Sequence, residues 1–558
     1  MSRWRQDMGI IRCIIIICLF IGMTSCESPE ESIACVETDP CDCPQASKED
    51  CQEKEGEEPN EEVDKEEVDY LTLSLDLDKT FQQIKSFGAS DAWSIQFVGK
   101  NWNENSREKI AELLFSTEFD ESNDPKGIGL STWRFNIGAG SAEQGANSNI
   151  NDEWRRAEGF LNADGSYDWN KQEGQQWFLE RALSYGVDDF TAFLNSPPVS
   201  LTRNGMAYSE DGVSANLDEA NFDKYADFIV EVLQNMQSKV GVHFDHVSPF
   251  NEPQWEWKCC NQEGSPWNNE EMAAMTRVLD EKISTAQIDT KIEVTEAGSL
   301  DFLYSNERDS RRNDQIYNFF SPTRDTYIGD LDNVAMSIAG HSYFTTYDLS
   351  TLLNTRKLVN DKINEINPEL DFIMSEYCIL EDHEEIKGSG RDLGMDPALY
   401  LARVIHSDLV YANAVSWQWW LAVSPYDYKD GLIYIDHNTV AGNVYESKML
   451  WSLGNYSRFI RPGMTRISLE RSDKLSDIAA IEEMLPSAYK SEDEVVIVLV
   501  NQTEEAEKVV IEGLSDGYSS IDLFQTSETK SLDHVRTYQD VNSEIIIAAR
   551  SIVTLVIK

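Results

Sequence analysis

The chain is poor in positive charge. Of its 558 residues 47 are Lys or Arg against 99 Asp or Glu, a formal net charge of −52. Nucleic acid is bound through clustered basic side chains, so this balance sets DNA and RNA aside. A polyanionic substrate would need a local basic patch, and none stands out. Histidine is scarce too, with seven. His243 and His246 stand three apart on a candidate strand, hence on opposite faces, which disfavours joint ligation of a metal. No metal site and no cofactor is expected. Long apolar runs are also missing: the greasy stretch Cys13-Ile14-Ile15-Ile16-Ile17-Cys18-Leu19-Phe20-Ile21 falls short of the about 20 residues that span a bilayer.

That stretch follows Arg3, Arg5 and Arg12 and precedes Gly22-Met23-Thr24-Ser25-Cys26, the layout of a secretion signal, with an uncleaved anchor as the alternative. Its end resembles a bacterial lipoprotein signal, which makes residues 1–26 a leader ending at a lipidated Cys26. Residues 27–69 are acidic and too poor in apolar groups to fold alone, so they read as a solvated tether. Acidic residues after a lipidated cysteine resemble the export signal of Bacteroidetes surface lipoproteins, implying an outward-facing protein held to the outer membrane by lipid alone. Cys35, Cys41, Cys43 and Cys51 fall in this tether, where a small disulfide knot or, in the sharper alternative, a metal site is conceivable. Adjacent Cys259 and Cys260, and Cys378 farther on, leave open a bridge between two loops.

From about residue 80, short apolar runs alternate with stretches of helical period, the pattern of repeated strand–helix units. Eight strands are expected, at 84–90, 132–137, 189–194, 244–250, 291–295, 335–341, 372–376 and 414–419. Eight such units close a (β/α)8 barrel, whose active site lies at the C-terminal ends of its strands. One helix is expected from about Asn221, and another with Asp396 as N-cap and Pro397 at its first position. Beyond about residue 465 the pattern changes to β-branched alternation, as in Val495-Val496-Ile497-Val498-Leu499-Val500, which predicts an antiparallel β-sandwich. The domains are therefore a barrel at 70–464 and a sandwich at 465–558, with the alternating Tyr70-to-Leu77 segment able to join the sandwich.

Two acids end strands: Glu252 in Ser248-Pro249-Phe250-Asn251-Glu252-Pro253 and Glu376 in Ile373-Met374-Ser375-Glu376-Tyr377. Sugar cleavage needs two carboxyl groups, one protonated to serve the leaving oxygen and one ionised to attack the anomeric carbon. An isolated glutamate is usually a solvated surface group, but a pair at strand ends is not isolated. The 14 Trp, 21 Tyr and 22 Phe include rings that can cover the apolar faces of sugars, although core packing claims most of them.

Taken together, Phe87-Gly88-Ala89-Ser90-Asp91-Ala92-Trp93, Trp133-Arg134-Phe135-Asn136, Asn195-Ser196-Pro197-Pro198, the two glutamate segments, His341-Ser342-Tyr343 and Tyr456-Ser457-Arg458-Phe459-Ile460-Arg461-Pro462-Gly463 resemble glycoside hydrolase family 30 over about residues 75–558. The resemblance implies retaining hydrolysis of a β-linked polysaccharide or oligosaccharide, with Glu252 as acid/base and Glu376 as nucleophile. It further implies that Arg134 steadies the nucleophile, an ordinary ion pair being the plainer reading, and that Asn251 contacts the sugar hydroxyl next to the anomeric carbon. Tyr343 bonds the nucleophile and His341 shapes the site on the same grounds, with an interior role open for both. Trp93, Trp255 and Trp417 are the expected stacking surfaces; packing is at least as good a reading of Trp257, Trp419 and Trp420. Gln262-Glu263-Gly264 and Ser424-Pro425-Tyr426-Asp427-Tyr428 incline towards an endo-β-1,6-galactanase, with β-1,6-glucanase, xylanase, β-fucosidase and glucosylceramidase as alternatives. A glycan-binding surface lipoprotein without turnover is the competing class.

Overall fold

The structure, a computed structural model, describes residues 70–558. The expected signal, the lipidated Cys26 and the acidic tether with its four cysteines lie outside the described residues. No helix among the described residues is long and apolar enough to cross a membrane.

The first strand, β1 (Leu71–Gln83), leads into the barrel strands β2 (Ser86–Ser90), β3 (Thr132–Asn136), β4 (Asp189–Phe193), β5 (His246–Ser248), β6 (Lys291–Ile292), β7 (Ser337–His341), β8 (Asp371–Tyr377) and β9 (Ala414–Ser424). Each falls on one of the eight expected segments; β8 and β9 run past theirs, and the other six are trimmed. Parallel pairing runs from β2 through β6, and from β7 through β8 and β9 back to β2. Between β6 and β7 the ladder shrinks to the parallel bridges Ile292↔Val334 and Ala297↔Gly340, which close the ring. The strands are buried almost end to end, as expected for parallel strands covered by helices outside and side chains inside.

The helix Phe222–Val240 turns Phe222, Tyr225, Ala226, Ile229, Leu233 and Met236 to the core and ends at Gly241, whose φ of 85° suits the left-handed cap. The later helix spans Met395–Tyr411 with Gly394 as N-cap, correcting the expectation of an Asp396 cap. Asp396 and Pro397 still occupy the first turn, where an acid meets the positive end of the helix dipole and a missing N–H costs no bond.

Two strands extend the sheet beside the active rim: β10 (Gly431–Ile435) pairs parallel with the overhanging end of β9, and β11 (Val444–Glu446) pairs antiparallel with β10. The remaining strands are β12 (Thr465–Arg471), β13 (Met484–Lys490), β14 (Val495–Asn501), β15 (Glu507–Glu512), β16 (Ile521–Ser527), β17 (Lys530–Tyr538), β18 (Ile545–Ile547) and β19 (Ser551–Ile557). With β1 they form one sheet in the order β17-β16-β19-β14-β13-β12-β1-β15-β18. Strands far apart in this order, β14 and β18 for example, share one apolar core, so the sheet folds over into two layers. The alternation of β14 splits its side chains: Val495, Ile497 and Leu499 enter this core while Val496, Val498 and Val500 face the barrel. The sheet is not purely antiparallel, because β1 runs antiparallel to β12 but parallel to β15.

Candidate active site

Glu252 follows β5 on a backbone with φ of 45°, its N–H donating to the Glu296 carbonyl at 2.9 Å. Glu376 lies within β8 and His341 ends β7. Candidate ligand atoms of Glu252, His341 and Glu376 all fall within 4.8 Å of one another. The two acids, distant in sequence, thus share one sugar-sized gap.

Around Glu376, Arg134 Nη1 donates at 2.6 Å and Tyr343 OH at 3.1 Å. Arg134 Nη2 donates to Asn251 Oδ1 at 3.0 Å and stands 3.4 Å from Glu296 Oε2, while its guanidinium lies 3.7 Å over the Phe193 ring. His341 meets Glu252 Oε1 through Nδ1 at 3.0 Å and Glu296 Oε2 through Nε2 at 2.9 Å. Ser248 and Ser375 hydroxyls donate to Glu296 at 2.7 and 2.6 Å. Arg134, Asn251, His341 and Tyr343 therefore surround the two acids.

Burial alone would discharge His341, but the carboxylates of Glu376, Glu252 and Glu296 outweigh it and raise its pKa to about 10. A protonated imidazole donates from both nitrogens and offers no lone pair to a metal ion. Glu296 is likewise opposed by burial yet held at about 2 by Arg134, His341 and Ser375. The Glu252 carboxyl goes the other way: burial raises its pKa, and the charge of Glu376 adds to the rise, against hydrogen bonds from His341 and Trp255. Burial pushes the Tyr343 phenol far up, leaving it a donor. The arrangement keeps one carboxyl prone to hold a proton beside another that receives two donors.

A cleft of about 490 Å³ opens over both acids, with Trp93, Trp257, Trp420 and Tyr343 among its walls. Trp93 meets Trp420 edge to face at 5.2 Å. The expectations for Trp417 and Trp255 require correction. Trp417 is fully buried and donates to Asp408 at 2.9 Å, because strand alternation turns it away from the mouth; Trp420, three residues on and outside that register, reaches the cleft instead. Trp255 packs edge-on against Phe302 and Phe344 and its side chain acts to lower the Glu252 pKa, so it supports the acid and does not line the cleft. Trp419 is core, as its packing reading has it, whereas Trp257 and Trp420 are cleft walls.

Sequence reasoning missed Glu296. Its signal was its place just after the fifth barrel strand, the same placement that singled out the other two glutamates. Wholly buried and bonded to Arg134, His341, Ser248 and Ser375, it is a fixed counter-charge and does not face the cleft. No bridge joins the two acid-bearing loops either: Cys259 bonds its neighbour Cys260, and Cys378 is a buried free thiol 3.8 Å from Tyr343 OH.

A closed barrel with acids, an arginine and an aromatic cleft at the C-terminal rim defines a hydrolase of the barrel class. The model of O-glycosyl hydrolase family 30 matches residues 70–434, and the chain belongs to that family of O-glycoside hydrolases. A solved structure of a conserved exported protein from Bacteroides fragilis is 35% identical with a TM-score of 0.82, covering 87% of this chain and 100% of that one. The catalytic domain of a family 30 xylanase C from Talaromyces cellulolyticus, 20% identical, shares the fold at a TM-score of 0.62 over 87% of this chain and 100% of that one. An endo-β-1,6-galactanase from Hypocrea rufa is 26% identical over 251 residues, 42% of this chain and 51% of that protein. An exo-β-1,6-galactobiohydrolase from Bifidobacterium longum is 32% identical over 126 residues, 22% of this chain and 8% of its own length. The chain thus spans about half the length of the first of these curated relatives and less than a tenth of the second.

Proposed function

We propose that the protein is a retaining endo-β-1,6-galactanase working through Glu252 and Glu376. One observation carries this reading: a carboxylate oxygen of each acid lies within 4.8 Å of the other's. An oxygen-to-oxygen approach of that size suits a carboxylate attacking the anomeric carbon directly, for which carboxyl groups about 5 to 5.5 Å apart are usual, better than an inverting site, whose attacking water needs roughly 6.5 to 9.5 Å. In the first step a Glu376 oxygen bonds to the anomeric carbon while Glu252 passes its proton to the glycosidic oxygen, and the carbon–oxygen bond breaks. Arg134 and Tyr343 orient the nucleophile, and Asn251, held by Arg134, serves the adjacent sugar hydroxyl. In the second step Glu252, now a carboxylate, takes a proton from water, whose oxygen displaces Glu376 and restores the starting configuration.

The linkage rests on the two relatives whose names specify β-1,6-galactan. The signal-like opening of the chain and the exported relative support export to the outer membrane through a lipid on Cys26. The test is release of reducing ends from β-1,6-galactan, β-1,6-glucan and xylan by wild type and Glu376→Ala, with proton NMR of the first-formed anomer. The expected outcome is galactan cleavage with a β-configured product, lost in the variant. An α-configured first product, or equal activity of Glu376→Ala, would overturn the assignment.

A further inference from the structure

The bonded neighbours Cys259 and Cys260 have no part in the chemistry above, yet they sit between two cleft residues. Trp257 and Gln262 both line the cleft, and the disulfide occupies the chain between them. This loop begins at the proposed acid. Glu252 must reach the oxygen of the leaving group, and these two cleft residues stand on its own loop.

The segment is fastened on either side of the cysteines. Trp257 Nε1 donates to the Glu252 carbonyl at 2.9 Å and the Trp257 carbonyl accepts from Ser209 N–H at 2.9 Å. The Trp257 ring lies so close over Gly264 that a Cβ there would meet Cδ2 at 2.3 Å. On the far side the buried Glu263 carboxylate accepts from Ala139 and Ser141 N–H at 2.9 and 3.1 Å. Trp257 and Cys259 both hold left-handed backbone, with φ of 46° and 41°, a conformation that non-glycine residues keep only where the surroundings impose it. Between these anchors the exposed Cys259 and half-buried Cys260 have one covalent constraint, the bond to each other.

We propose that the Cys259–Cys260 disulfide is a positioning staple for the saccharide subsite on the leaving-group side, setting the spacing and facing of Trp257 and Gln262. It holds the indole and the amide at a fixed distance across one sugar unit, so that binding does not have to order the loop. The inference rests on the proposed function for the side of the cleft it assigns, but its core, a disulfide-dependent saccharide subsite, is measurable without turnover.

The test reduces the intact protein with a phosphine. Phosphorus supplies two electrons and one water supplies the oxygen and two protons, giving two thiols and the phosphine oxide; mass spectrometry after alkylation counts the modified thiols. Cys378 is buried and free, and its thiol pKa is pushed up by burial, so it provides the unreactive control. Binding of β-1,6-galactotetraose is followed by tryptophan fluorescence, and KM and kcat on β-1,6-galactan are measured on the same samples. Freeing two ordered side chains should weaken tetraose binding and raise KM about tenfold, with kcat changed less than about twofold. Reoxidation should restore both values, and Cys259→Ser/Cys260→Ser should reproduce the reduced protein. Unchanged binding and KM in a protein shown by mass to be reduced would refute the staple, as would a lack of tetraose binding by the oxidised form. Binding that responds to reduction without galactan cleavage would refute the proposed activity and leave the staple standing.

Discussion

Replacing Glu296 with Gln tests the charge balance of the site without touching the cleft. Glu296 has no exposed surface and its pKa drops from 4.5 to about 2, a shift worth about 3 kcal/mol of folding stability. The amide keeps the shape but removes the negative charge that Arg134 approaches at 3.4 Å and His341 at 2.9 Å. Breaking one partner out of a buried ionic cluster costs on the order of 3 to 5 kcal/mol, consistent with that shift. The pH dependence identifies the source. A depressed carboxylate pKa gives stability that is complete above 4.5 and lost as pH falls towards 2. His341, raised from 6.5 to about 10, gives stability that is complete below 6.5 and lost as pH rises towards 10. Both contributions are complete only between about pH 4.5 and 6.5. Urea unfolding of wild type and Glu296→Gln across pH 3 to 10 should therefore show the largest gap, about 3 kcal/mol, inside that window and a narrowing gap at both ends. Displacement of Arg134 and His341 should also lower kcat by up to about a hundredfold with KM nearly constant. A gap independent of pH, or none at pH 6, would show that Glu296 is not the counter-charge described.

Gly298 sits where a Cβ would meet Trp255 Nε1 at 2.4 Å, so Gly298→Ala should displace the indole whose hydrogen bond lowers the Glu252 pKa. The basic limb of the kcat/KM profile, along which Glu252 loses its proton, should then move to higher pH; a profile unmoved on that limb would argue against the Trp255 contact. Trp417→Phe removes the donor to Asp408 from a fully buried position, and should cost about 1 to 3 kcal/mol in urea unfolding. Its saccharide binding, read by fluorescence titration, should match wild type, and a loss of binding would return Trp417 to the cleft.

Periodicity alone located the barrel because each parallel strand is a buried apolar run set off from its neighbours by amphipathic helices, and all eight lie where that rhythm puts them. The strand-end positions of Glu252 and Glu376 were legible for the same reason: a barrel presents the C-terminal ends of its strands at one rim. The local pattern also marked β1 as a strand able to join the second sheet, where it pairs with β12 and β15. It did not reveal which tryptophans face the sugar. Trp417 and Trp420 differ by three residues, and only the register of β9 and the way the strand overhangs the barrel decide that one is core and the other wall.

The amino-acid order, then, determined the number of barrel strands, the two-part architecture and the pair of acids at the rim, since these follow from hydrophobic period and local chain direction. Tertiary structure decided the rest: that Glu296 becomes a buried counter-ion to Arg134 and His341, that Trp255 supports the acid, and that adjacent cysteines bond to each other between two cleft residues. Those outcomes depend on distances between segments brought together only when the ring of strands closes, and Coulomb and hydrogen-bond energies depend on separations in space.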